Sequence, residues 1–228
     1  MRGEQHQGKS LTYITILPDE YDPAVSYPLV IMLHGFGAQM LDLAGLAPEI
    51  NPRGYVYACP NAPIPFDLGY GQRGYGWMAP RGEATLEEIS HTEGLLATFF
   101  DEVFAQLKTL PGQAILLGFS QGGGMTYRCG LSRPETFAGL VALSGSVRDP
   151  KELQDRLPAD RSQPIFIAHG RADSMVSLES AQATRQFLEK MGYHPDYREY
   201  AMAHEISREV LADLVPWMAK VLPPLPDD

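Results

Sequence analysis

The chain has 228 residues, of which 44% are hydrophobic and 20% charged, a balance that supports a folded core and excludes a disordered tail protein or a coiled coil. Its 18 Lys and Arg against 28 Asp and Glu give a formal net charge of -10, which repels nucleic-acid phosphates and anionic lipid surfaces and leaves a small molecule as the expected partner. No apolar run approaches the roughly 18 residues that span a bilayer, and the length predicts one domain, at 11–221, between flexible ends at 1–10 and 222–228.

The polar first ten residues hold no apolar stretch of the secretory kind, so the expected location is the cytoplasm. Short aliphatic or β-branched runs at 11–17, 29–33 and 54–58 read as strands. From 60 to 82 the chain carries Pro60, Pro63, Pro65 and Pro80 with the aromatics Phe66, Tyr70, Tyr75 and Trp77. A loop of that length inside a compact domain is usually functional, and these four aromatics are expected to line a substrate entrance.

A helix is predicted over 83–107, with one apolar stripe and a capping box at Thr85 and Glu88. Strands follow at 114–118, 138–143, 165–168 and 197–200. Helices are read at 121–131, at 177–191, where Gly192 stops the turn, and from about 206, where Pro216 is expected to cause a kink. Several strands carry consecutive apolar residues, the pattern of a sheet covered by helices on both faces. The fold class is therefore α/β, with a mostly parallel central sheet. Cys59 and Cys129 sit in no CxxC pattern and read as free thiols.

Gly118-Phe119-Ser120-Gln121-Gly122 lies between a buried strand and a helix start. A GxSxG there makes a sharp turn that lifts the serine hydroxyl above the sheet, so Ser120 is the candidate nucleophile. A serine hydroxyl needs a base to take its proton and a carboxylate to orient that base. In this strand-turn-helix context the chain order is Ser, Asp or Glu, His. Asp173 follows the strand at 165–168, and His204 follows the strand at 197–200. Both stand where loops leave the carboxyl ends of strands, the side on which open α/β sheets place their sites. Asp149 is the rival acid, while Asp67 and Asp196 read as solvated loop carboxylates.

Among the other histidines, His6 is in the polar start, His91 on a helix and His194 before a proline. His34 and His169 end strands, where a structural hydrogen bond is the expected role. His34-Gly35-Phe36-Gly37 makes a turn that can aim the Phe36 N–H at a developing oxyanion, with the N–H of Gln121 as second donor. The chain has no P-loop and no HExxH or HxxxH spacing, so neither a metal nor a cofactor is expected.

Five blocks in order, Leu33 with His34-Gly35-Phe36-Gly37, Cys59-Pro60-Asn61-Ala62-Pro63, Gly118 to Gly123, His169-Gly170 to Asp173, and His204-Glu205-Ile206, resemble the phospholipase/carboxylesterase family of α/β-hydrolases, which also contains the acyl-protein thioesterases. The resemblance runs from about 27 to 218. It implies an α/β-hydrolase fold, a triad of Ser120, Asp173 and His204, oxyanion donors at Phe36 and Gln121, and hydrolysis of carboxylic esters or thioesters. The chain departs from the family pattern at Ser174-Met175-Val176 and at Ala203. Met175 is bulky and adaptable where smaller residues are usual, and with Tyr75 and Trp77 it is the expected substrate contact.

The resulting expectation is a serine carboxylesterase that cleaves small acyl esters through an acyl-enzyme. A thioesterase or lysophospholipase on the same triad is the alternative, and so is a binding protein that retains the fold without catalysis. Nothing in the pattern specifies an oligomeric state.

Overall fold

The computed structural model describes residues 1–69, 71–80 and 83–226. Its strands are β1 (Arg2–Gln7), β2 (Thr12–Leu17), β3 (Leu29–Leu33), β4 (Val56–Pro60), β5 (Ile64–Asp67), β6 (Arg73–Gly76), β7 (Ala114–Phe119), β8 (Gly139–Leu143), β9 (Ile165–Gly170) and β10 (Asp196–Tyr200). Its helices are α1 (Met40–Ala44), α2 (Ala47–Ile50), α3 (Leu86–Leu107), α4 (Gln121–Gly130), α5 (Pro150–Gln154), α6 (Leu178–Lys190) and α7 (Arg208–Val221).

Each of the seven apolar runs becomes a strand of one sheet, in the order β1-β2-β4-β3-β7-β8-β9-β10. From β4 onward the pairings are parallel, while β1 with β2 and β2 with β4 are antiparallel. Side chains alternate across a strand, and the alternation here feeds two cores. Leu29, Ile31, Leu33, Leu116 and Ile167 face α3, α4 and α6. Val30, Met32, Ile115, Leu117 and Phe166 face α1, α2 and α7. This two-sided burial explains why the central strands read as continuous apolar runs rather than alternating ones.

Three parts of the chain differ from expectation. The first ten residues, expected to be flexible, supply β1, which pairs with β2 along its whole length. Its sequence hid it because an edge strand with exposed faces needs no apolar residues. The Met1 ammonium lies 2.8 Å from Asp19 Oδ1. The segment after α7, also expected to leave the fold, stays on it through the described residues. Leu222 is buried and its carbonyl accepts from the Tyr55 hydroxyl, while the Leu225 N–H donates to Gly54 O at 3.0 Å.

The expected long loop at 60–82 instead contains a hairpin, β5 and β6, paired antiparallel. Gly69 and Gly71, both with positive φ, stand at its bend. Pro65 and the glycines of β6 break the apolar alternation that would have announced two strands. Helix α7 runs through the exposed Pro216 without interruption.

The Thr85 side chain caps α3 by accepting from the Glu88 N–H at 3.2 Å. Thr85→Ala is expected to lower unfolding free energy by about 1 kcal/mol in urea titration; a change below about 0.2 kcal/mol would show that the cap carries no weight in the fold.

Candidate active site

The turn between β7 and α4 places Ser120 at φ 55° and ψ −116°, a conformation that L residues avoid and that is found where a structure holds strain for a purpose. Its N–H donates to Leu143 O at 2.8 Å, and its carbonyl accepts from the Gly124 N–H at 3.1 Å. A side chain at Gly122 would overlap the Leu33 carbonyl, and one at Gly118 would overlap the Gly122 carbonyl. The two flanking glycines of GxSxG are thus required by backbone lying directly on backbone.

His204 and Asp173 reach Ser120 from two neighbouring strand ends. The parallel pair β9 and β10 continues past its last residues, because Arg171 N–H donates to Tyr200 O at 2.8 Å and Ala172 N–H to Met202 O at 3.1 Å. These bonds fix the Asp173 turn against the His204 loop. His204 Nδ1 donates to Asp173 Oδ2 at 2.7 Å, and the Ser120 hydroxyl donates to His204 Nε2 at 2.9 Å. Phe119 supports the imidazole, with ring centroids 4.8 Å apart.

The Asp173 side chain is fully buried. Burial pushes its carboxyl pKa up, but the bond from His204 and those from the Val176 and Met175 N–H groups outweigh it, and the net displacement is downward. Asp173 therefore stays ionised beside His204. His169, at the end of β9, donates from Nε2 to Val176 O at 2.8 Å, the structural role expected of it. The rival Asp149 lies at the start of α5, lines the cleft beyond Ser120 and makes no bond to His204 among the described residues.

The turn after β3 bends Phe36 toward Ser120. Gly37 N–H donates to Tyr75 O and Ala38 N–H to Gly35 O, and the Phe36 N–H between them has no backbone acceptor among the described residues. The Gln121 N–H, at the first position of α4, likewise lacks an acceptor within its helix.

Trp77 was an expected substrate contact, but it is 0% exposed. Its indole N–H donates to His34 O at 2.8 Å and its backbone N–H to Gln121 Oε1 at 2.6 Å, while Gln121 Nε2 donates to Met78 O at 2.8 Å. Trp77 is buried, its two N–H groups are bound to the turn after β3 and to the Gln121 side chain, and it does not line the cleft at Ser120. Tyr75 is also displaced from that expectation. It bridges to Ala38 through its backbone, with Tyr75 N–H donating to Ala38 O at 2.8 Å, and its side chain faces a groove outside the Ser120 cleft.

Phe66 packs against Phe36 with ring centroids 4.7 Å apart and planes tilted by 56° and does not line that cleft, and Tyr70 lies outside the described residues. The Gln121 side chain was the element that sequence reading missed, since a glutamine at a helix start carries no signal for a bond to a segment over forty residues away.

A cavity of about 210 Å³ opens at Ser120 and Gln121. Phe36, Met78, Ile89 and Val176 make its apolar wall, and Met175, 68% exposed, stands at its rim. Met175 and Ser120 thus share one cavity. Among the described residues no cluster of three or more His, Cys, Asp and Glu is placed to hold a metal ion. No described helix is long and apolar enough to cross a membrane.

A sheet of this order with a serine turn between β7 and α4 defines an α/β-hydrolase. The phospholipase/carboxylesterase family model matches residues 23–222, and the chain belongs to that family of hydrolases. It is 30% identical over 216 residues to acyl-protein thioesterase 1 of Neurospora crassa, covering 87% of this chain and 88% of that protein. It is 32% identical over 162 residues to carboxylesterase SOBER1 of Arabidopsis thaliana, covering 70% and 65% respectively. A carboxylesterase structure from Bacillus cereus superposes with a TM-score of 0.76 at 18% identity, over 93% of this chain and 95% of that one, which shows the shared fold.

His34 lies beneath the site, with Nδ1 donating to Gly35 O at 2.7 Å and Nε2 accepting from the Ala62 N–H at 3.1 Å. Burial pushes its pKa from 6.5 down to about 4, against the opposing bond to Gly35. The folded state thus resists a proton that the unfolded chain accepts. The contribution is fully present above pH 6.5 and is lost as pH falls toward 4, by about 3 kcal/mol in all. Urea unfolding at pH 7 and pH 4.5 is expected to show a steeper loss in the native protein than in His34→Gln; equal losses would mean that His34 is not the titrating group.

Proposed function

We propose that this hydrolase cleaves small carboxylic esters through an acyl-enzyme carried on Ser120. The observation that supports this reading best is the unbroken chain of bonds from Ser120 Oγ through His204 to Asp173. Ser120 Oγ attacks the ester carbonyl carbon as His204 Nε2 takes its proton, and the carbonyl oxygen gains negative charge facing the Phe36 and Gln121 N–H groups. His204 then gives that proton to the leaving alcohol as the carbon–oxygen bond breaks. Water repeats the sequence on the acyl-enzyme and releases the acid. Asp173 stays ionised and holds the imidazole with Nδ1 protonated, which keeps Nε2 free to act as base.

The leaving group must lie beside His204, the residue that protonates it. His204 does not line the cleft that opens along α4, so the cleft is assigned to the acyl group. Met175 and Val176, held next to Asp173 by its two backbone bonds, form the side of that cleft nearest the triad. A thioester is the second reading, favoured by the likeness to acyl-protein thioesterase 1 of Neurospora crassa; the same attack displaces a thiol.

Ser120→Ala is expected to retain the native unfolding curve and lower kcat/KM for p-nitrophenyl acetate by at least about 10⁴-fold. Asp173→Asn, which favours the wrong imidazole tautomer, should lower kcat by about 10³- to 10⁴-fold. Turnover within ten-fold of native in Ser120→Ala would overturn the mechanism. A matched acetyl ester and acetyl thioester pair, compared by kcat/KM, separates the two substrate readings.

A further inference from the structure

The Asp173 turn is held from both sides. Before it, the Arg171 and Ala172 N–H groups bond to the loop that carries His204, and a side chain at Gly170 would overlap the Met202 and Ala203 carbonyls. After it, the exposed Ser174 and Met175 and the half-buried Val176 lead to the cap of α6. In this stretch the Met175 and Val176 N–H groups both donate to Asp173 Oδ1 at 2.9 Å. Among the described residues, its one hydrogen bond to the central sheet comes from His169 Nε2, which donates to the Val176 carbonyl at 2.8 Å.

We propose that His169 is a positioning residue for the reaction: by holding Val176 it fixes the two N–H groups that orient the Asp173 carboxylate toward His204. This rests on the triad reading given above. With Oδ1 pinned by two bonds, the plane of the carboxylate is set and Oδ2 is left directed at His204 Nδ1, 2.7 Å away. His169 Nε2 lies 3.6 Å from the same Oδ2, too far for a hydrogen bond. The imidazole of His169 is therefore a wall beside that oxygen, while its N–H serves Val176. Both side chains are fully buried.

A histidine is otherwise a poor choice for this position. Its Nδ1 is buried without a hydrogen-bond partner among the described residues, and an unpaired buried acceptor costs stability that an apolar side chain of the same size would not. What the ring contributes is an Nε2–H at a fixed reach from the end of β9. A loosened Val176 would let the Asp173 carboxylate turn, and His204 with it. Misplacement of a catalytic group by about 1 Å costs on the order of 100-fold in rate.

The test replaces His169 by two side chains of equal length, of which Gln keeps an N–H donor and Met does not. On p-nitrophenyl acetate, His169→Met is expected to lower kcat by about 10- to 100-fold with KM changed by less than about two-fold. His169→Gln should recover to within about three-fold of native. Because Val176 also lines the acyl cleft, p-nitrophenyl octanoate is measured beside the acetate. Equal losses on the two esters support an effect through Asp173, and a loss confined to octanoate overturns the proposal. In an Asp173→Asn background, His169→Met should cost less than about three-fold further; a loss of folded enzyme would instead appear in full in both backgrounds.

Native kcat in His169→Met, no recovery in His169→Gln, or additive losses with Asp173→Asn each overturn the proposal. So does a nitrogen NMR spectrum of histidine-labelled native enzyme in which His169 carries its proton on Nδ1 rather than on Nε2, a measurement that requires no variant to fold. If Asp173→Asn itself turns over acetate at the native rate, the triad reading fails and this inference with it. If Asp173→Asn is impaired and His169→Met is not, only the role of His169 fails.

Discussion

The site depends on one constraint, the approach of α4's first turn to the end of β3. Gly122 lies against the Leu33 carbonyl, and Gly123 against Gly145 after β8, so the helix start is wedged between neighbouring strands with no side chain between them. That wedge forces Ser120 into its positive-φ turn and points the first N–H of α4 out of the sheet. It also brings the turn after β3, with Phe36, beside the serine. The two expected oxyanion donors come from segments far apart in sequence, yet they follow strands β3 and β7, which pair in parallel as neighbours.

The elements that sequence reasoning could find are those whose burial dictates composition. Continuous apolar runs such as 29–33 and 114–118 are legible because both faces of the sheet are covered, and the stripe of α3 because one face is. The order of Ser120, Asp173 and His204 is legible because each follows a strand, where the fold leaves loops at one edge. Strand β1 is not legible, since an exposed edge imposes no hydrophobic requirement. The hairpin β5–β6 is obscured by its own prolines and glycines.

The aromatics of the hairpin region show a subtler limit. Aromatic enrichment beside a site is equally the composition of a ligand wall and of a small core, and hydrogen bonding decides between them. Trp77 donates both of its N–H groups to the protein, to His34 O and to Gln121 Oε1, and a side chain so committed has no polar handle left for a substrate. Met175, bound through its backbone N–H to Asp173, keeps its side chain exposed at the rim. The cluster of charges around Arg128 was hidden for a different reason. Arg128, Glu93, Glu152 and Arg156 come from three helices and their flanks, and no spacing in the chain marks four charges that meet only after folding.

The bonds from the hairpin to Gln121 and to the turn after β3 have a consequence for how the enzyme can diverge. Because β6 and Trp77 bond to the turns that carry the proposed oxyanion donors rather than lining the proposed acyl cleft, alterations there are expected to act on every substrate alike, through the common transition-state charge. The cleft proposed to take the acyl group is lined by a separate set of surfaces, on α3, α4 and the Met175 turn. Under the proposed mechanism, catalytic power and substrate range occupy different elements of the chain, and a search for altered selectivity gains from leaving the aromatic hairpin intact and varying the walls along α4.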